Sequence, residues 1–125
     1  MKIFICANKF QKLAAKVSAY SFAQFGFNDI EFLEIDNNEI LKKKLNSTYL
    51  RNGKITKFVD DLQSFTLLRF YPFTQKNINN CLIIDPDVFA IKNPKNELEN
   101  FFLKNEFKIA CTKINNNFRT EVMLL

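Results

Sequence analysis

Two acidic side chains one residue apart, those of Asp85-Pro86-Asp87, are the groups in this sequence best suited to binding or reaction. They follow directly on Cys81-Leu82-Ile83-Ile84, a continuous apolar run. Pro86 fixes its own φ and keeps Asp85 extended. Residues two apart in extended chain point the same way, so both carboxylates can face one point. Two carboxylates close together repel unless something neutralises them. A divalent cation does so, and oxygen ligands select Mg²⁺ or Mn²⁺, which keep positions free for water and substrate phosphates. The implied partner is a phosphate or diphosphate compound. The alternative is a plain turn, since Asp and Pro are both common turn formers. The apolar segments on either side, Leu82–Ile84 and Val88–Ile91, favour a site, because a surface turn seldom lies between two such runs.

Other chemistries are excluded by composition. The 125 residues contain no histidine, which removes Ser-His and Cys-His nucleophile pairs, His metal ligands and histidine acid–base catalysis. Three cysteines, Cys6, Cys81 and Cys111, each lie in an apolar, strand-like stretch. An odd count without CxxC spacing reads as buried thiols, not a disulfide frame or a zinc site. Eighteen Lys and Arg against thirteen Asp and Glu give +5 and favour anionic ligands. No basic-aromatic platform is visible, so nucleic acid is not an expected partner. Lys42-Lys43-Lys44 reads as a solvated helix face. No apolar run reaches the roughly 18–20 residues needed to cross a bilayer, so no integral membrane segment is expected. The apolar stretch of Met1–Cys6 is too short for a signal peptide, and the expected location is cytoplasmic.

The elements that must position the aspartates alternate between strand and helix. Lys2–Cys6 reads as a strand, and Phe10–Phe25 as a helix with Phe10, Leu13, Ala14, Val17, Ser21 and Phe25 on its inward face. Gly26 stands where a helix C-terminal cap is expected. Ile30–Ile35 reads as a second strand, Glu39–Leu45 as a short helix and Asn46–Lys54 as a loop. A longer helix runs from Ile55 to Tyr71 and is closed by Pro72. Gln75–Asn80 is a polar turn. The run Cys81–Ile84, apolar on both sides, predicts a central strand buried on both faces. Asn93-Pro94 caps a helix whose inward residues are Leu98, Phe101 and Phe102. Phe107, Ile109 and Cys111 alternate as a strand, and Val122–Leu125 as another. The expected fold class is α/β, one domain over residues 1–125 with an open, mostly parallel sheet flanked by helices. The apolar end at Leu125 is expected to be an internal point of a longer domain.

With these elements in place, Cys81-Leu82-Ile83-Ile84-Asp85-Pro86-Asp87-Val88-Phe89-Ala90-Ile91 resembles the DxD region of GT-A-fold glycosyltransferases, most like family-eight-type hexosyltransferases. Leu67-Leu68-Arg69-Phe70-Tyr71-Pro72 resembles the helix that precedes that strand, and Met1–Lys9 suits the family's nucleotide-binding start. The resemblance implies a Rossmann-like nucleotide-diphospho-sugar-binding half, with Mn²⁺ or Mg²⁺ and a hydroxyl acceptor. It implies that Asp87 coordinates the ion, and that Asp85 contacts the ribose or donor sugar or reaches the ion through water. Ala7 and Asn8 would lie beside the base and Arg69 near the sugar diphosphate, with Asp61 and Gln63 as further lining candidates. Asn8 is equally readable as a helix cap and Arg69 as a surface helix residue. The family often takes a further metal ligand, commonly histidine, from a later segment, and this sequence has none to supply. A non-catalytic nucleotide-sugar-binding module is therefore an alternative. A haloacid-dehalogenase-type phosphatase is another, since it too places Asp-x-Asp after a strand.

Overall fold

β1 (Lys2–Ala7) carries the core on both sides, as alternation in a strand requires. Ile3, Ile5 and Ala7 point to one layer, and Phe4 and Cys6 to the other. In the computed structural model, the described residues are 1–34, 48–51, 53–57, 64–75, 78, 80–104, 110–115 and 117–124. Along the chain, β1 is followed by α1 (Lys12–Ala23), β2 (Ile30–Glu34), β3 (Thr48–Arg51) and β4 (Lys54–Lys57). A 3₁₀ segment (Ser64–Thr74), β5 (Cys81–Ile84), α2 (Lys95–Lys104), β6 (Ala110–Ile114) and β7 (Asn117–Leu124) complete the described elements.

Five strands form an open sheet in the order β2-β1-β5-β7-β6. The β1–β2 and β1–β5 pairs are parallel, whereas β5–β7 and β6–β7 are antiparallel. The fold is α/β as expected, but the sheet is mixed, not mostly parallel. The reason is the hairpin that returns β7 between β5 and β6, turning at Asn115 with φ +47°. Asn tolerates that left-handed conformation better than other non-glycine residues. β5 has strands on both sides, and Cys81, Leu82, Ile83 and Ile84 are all buried, as the apolar run predicts. α1 covers one layer through Ala15 and Phe22, with Leu98 of α2 packed against the same cluster. The 3₁₀ segment covers the other layer through Leu68.

The buried face of α1 differs from the expected one. Ala15, Ser18 and Phe22 are buried, while Phe10, Leu13 and Val17 are exposed. The helix is apolar on two sides, so periodicity allows either stripe inward. The small residues win because the helix must come close to both the sheet and the chain after β5. Gly26 caps α1 as expected, with φ +83°. The Phe27 N–H donates to the Phe22 carbonyl at 3.4 Å, and the two rings meet edge to face at 5.9 Å. That combination of a left-handed glycine, a six-to-one bond and an apolar contact is the Schellman arrangement.

Two further expectations are corrected. Asn46–Lys54 is not a loop: β3 and β4 pair as an antiparallel hairpin, with Gly53 at φ +75° in the turn. Asn52-Gly53 is a strong hairpin signal, and the polar character of the stretch masked it. The long helix over Ile55–Tyr71 is not present either, because Lys54–Lys57 is strand and Ser64–Thr74 is 3₁₀. Pro72 does not end that segment. It is buried four residues after Leu68, and burial against the sheet outweighs the local preference of the residue before proline. The Asn93 cap holds: its Oδ1 accepts from the Lys95 N–H at 3.0 Å, with Pro94 in the first turn. Phe101, expected inward, is partly exposed. The expected helix over Glu39–Leu45, the lysine run 42–44, Phe107, Ile109 and Leu125 lie outside the described residues.

Candidate functional site

β1 is the point at which the strand order reverses. The chain leaves it through α1 to β2 on one side, while β5 lies on the other. In open α/β sheets, ligands bind outside the carboxyl ends of strands at such a switch point. The register sets Ile5 opposite Ile84, so the last residues of β1, Cys6-Ala7, and Asn8 after them run beside Asp85-Pro86-Asp87 as that tripeptide leaves the sheet. The topology thus brings Ala7, Asn8 and Asp85 to one edge from positions far apart in sequence.

Asp85 is buried, and so is Arg69 from the 3₁₀ segment. The Arg69 Nε–H donates to Asp85 Oδ1 at 2.8 Å, and Nη2 donates to Oδ1 at 2.5 Å and also to Oδ2. This bidentate pairing is the strong form of a charge-assisted hydrogen bond. It corrects the reading of Arg69 as a surface residue. Leu68 is fully buried, and the tight 3₁₀ turn carries its neighbour beneath the sheet edge.

The two aspartates do not share one environment. The Val88 N–H donates to the Asp85 carbonyl at 3.3 Å, closing a turn with Pro86 at its second position. Residues two apart in a turn need not point together, and the extended geometry expected of this tripeptide is absent. Asp85 faces inward to Arg69, and Asp87 is exposed. The plain-turn alternative therefore describes the backbone, while the buried ion pair sets this turn apart from an ordinary surface one.

Ser18, absent from the expected stripe of α1, and Ser21, named in it only as a small residue, hold the turn's far end. Ser18 Oγ donates to the Val88 carbonyl at 2.5 Å, and the Ala90 N–H donates to Ser21 Oγ at 2.9 Å. Ser18 is fully buried. The available signal was a pair of serines three apart on an otherwise apolar helix, which marks polar groups meeting something specific on the buried side. Asp87 is thus fixed on both flanks, by Arg69 through Asp85 and by α1 through Val88.

On the β1 side, Ala7 and Asn8 are buried. Asn8 Oδ1 accepts from the Phe10 N–H at 3.0 Å and its carbonyl accepts from the Gln11 N–H at 3.0 Å, so Asn8 turns the chain into α1. This is a turn ahead of the helix and not its cap: the N-cap position of α1 is Gln11, which makes no side-chain cap bond. Gln11 Oε1 is buried and has no hydrogen-bond partner among the described residues. An orphaned acceptor of this kind costs about 1–3 kcal/mol until a donor reaches it. Burial pushes the Cys6 thiol up to about 12, with the Asp85 charge adding to the shift and Arg69 opposing it. Cys6 is therefore a neutral core residue, as expected. Cys81 is likewise pushed up to about 11, first by burial. Cys111 is half-buried, and all three thiols are free.

Among the described residues, no three of His, Cys, Asp and Glu are grouped to hold a metal ion. Both Asp85 oxygens accept from Arg69, so Asp87 is the member of the pair placed to offer oxygen to an ion outside the protein. Asp61 and Gln63 lie outside the described residues. The fold and site define an α/β domain with a mixed, open five-stranded sheet and an acidic turn at its switch point. No protein-family model matches the chain, and no curated protein or solved structure is significantly similar to it.

Proposed function

We propose that this chain binds a nucleotide-diphospho-sugar donor at the carboxyl ends of β1 and β5, with Mg²⁺ or Mn²⁺, as the donor half-site of a glycosyltransferase. The observation that carries the reading is the Arg69-held Asp85 followed by an exposed Asp87 at the switch point. One exposed carboxylate is a sparse donor set for an ion alone. It suits a cation of this type, which is commonly held by one or two carboxylates, waters and the phosphates of its substrate. Asp87 would hold the ion, and Asp85 would fix the turn and meet the ribose or sugar. When bound, such an ion neutralises charge on the leaving diphosphate. Arg69 acts here as a positioning residue for Asp85, not as a cation on the phosphates. On this reading Ala7 and Asn8, both buried at the end of β1, would lie beside the base. The transfer itself would move the sugar from the diphosphate to a hydroxyl acceptor.

A second reading is a non-catalytic fragment or nucleotide-sugar-binding module, which the same exposed Asp87 beside a buried Arg69–Asp85 pair also suits. A phosphatase in which Asp85 attacks phosphorus is disfavoured, because Arg69 already occupies both of its oxygens. Calorimetric titration with UDP, GDP and their sugars, with and without Mn²⁺, tests the proposal. Metal-dependent binding with sugar release to water or acceptor supports the transferase. The same binding without turnover supports the module, and no binding under any condition removes both.

A further inference from the structure

α1 is apolar on the side that faces away from the sheet. Leu13, Val17 and Tyr20 recur at helical spacing on that side and are 75%, 49% and 66% exposed, and Phe10, in the turn before the helix, is 63% exposed. A helix that is apolar all round is normally covered all round. Lys16 lies within the same stripe, and Lys9 stands over the Phe10 ring at 4.9 Å. Residues 1–28 contain four lysines and no Asp or Glu. Lys2 and Lys12 are paired with Glu31 and Glu34, whereas Lys9 and Lys16 have no acidic partner among the described residues. Ile91, 94% exposed, follows Ala90, whose N–H donates to Ser21 one turn beyond Val17 on α1.

We infer that this face of α1 docks on an anionic lipid surface. Charge complementarity chooses the occupant. A second copy meeting the stripe across a two-fold axis would set lysine against lysine, with no acid on the helix to pair them. A stable protein partner uses roughly 20–30 residues a side, and this stripe is far narrower. Reversible adsorption to a bilayer needs only an apolar stripe with cations beside it. Lysine stems lie along apolar surface while their ammonium groups reach anionic headgroups, and a tyrosine ring suits the interface.

The test is co-sedimentation of the full chain with phosphatidylcholine vesicles, with and without phosphatidylglycerol. The wild type is expected to bind only the vesicles containing phosphatidylglycerol, and to be released by salt. Each neutralised lysine is expected to weaken binding roughly fivefold, so Lys9→Gln with Lys16→Gln loses about 25-fold without touching the core. Leu13→Glu is expected to abolish binding, and Leu103→Glu, on exposed α2 surface, to leave it unchanged. Circular dichroism checks that each variant is folded. Failure of the wild type to bind, or undiminished binding by both stripe variants, overturns the inference. So does sedimentation as a dimer that Leu13→Glu dissociates, or capture of an acidic protein through the stripe without lipid.

Discussion

Arg69 Nε lies 2.8 Å from Asp85 Oδ1, and the two side chains are each only 9% exposed. Arg69 follows fully buried Leu68 in the 3₁₀ segment, and Asp85 follows directly on the central strand. Each charge would be costly alone, and together they lock the 3₁₀ segment to β5. Removing one partner of a buried pair leaves the other uncompensated. Arg69→Ala is expected to lower stability by about 3–5 kcal/mol. The double variant Arg69→Met, Asp85→Leu should recover much of that loss, because it buries no charge. Urea unfolding of both single variants and the double variant measures the difference, and a double loss equal to the sum of the single losses would mean that the pair is not coupled.

Asp87 should behave differently from its neighbour. It is exposed, so Asp87→Asn is expected to change stability by no more than about 0.5 kcal/mol. On the proposed function, the same variant loses metal-dependent nucleotide binding. Thermal unfolding and calorimetric titration of one preparation read both quantities. Wild-type affinity in the variant would show that this carboxylate only shapes the turn.

Ser18 gives a prediction that concerns position. Ser18→Ala leaves the Val88 carbonyl without its 2.5 Å donor. An orphaned buried acceptor costs about 1–3 kcal/mol, partly offset by the higher helix propensity of alanine. A net loss of about 1 kcal/mol is expected in urea unfolding. Faster hydrogen exchange at the Ala90 amide, which bonds to Ser21 in the same seam, would show that the segment after Asp87 has loosened.

The thiols set an alkaline limit. Burial raises Cys6 to about 12 and Cys81 to about 11 from an ordinary 9.0. Between 9 and those values the native state keeps protons that the unfolded chain has released, so stability falls as pH rises. The contribution is complete below about pH 9 and is lost as pH rises through the native values, with a slope of up to about 1.4 kcal/mol per pH unit for each thiol. Cys81→Ala should flatten the slope between pH 9 and 11 while lowering stability at neutral pH through the cavity it leaves. In the native state Cys111, being half-buried, should react with a thiol reagent before Cys6 and Cys81 do.

The order of residues alone specifies β1, β5, the Gly26 cap and the Asn93-Pro94 helix start. Each is dictated by a local rule: an apolar run, a glycine at positive φ, an asparagine side chain before proline. It also placed Asp85 and Asp87 beyond the central strand. The assembled fold selected which stripe of α1 faces inward, since two stripes have the same period and the neighbour that selects between them, Val88–Ala90, is about 70 residues away. It also decided that β7 runs antiparallel beside β5, because strand direction depends on how a returning hairpin docks and not on composition. Asp85 and Asp87 differ for the same reason. A tripeptide cannot specify which of its carboxylates will meet an arginine brought in by another element, and burial of Arg69 against Asp85 settled it.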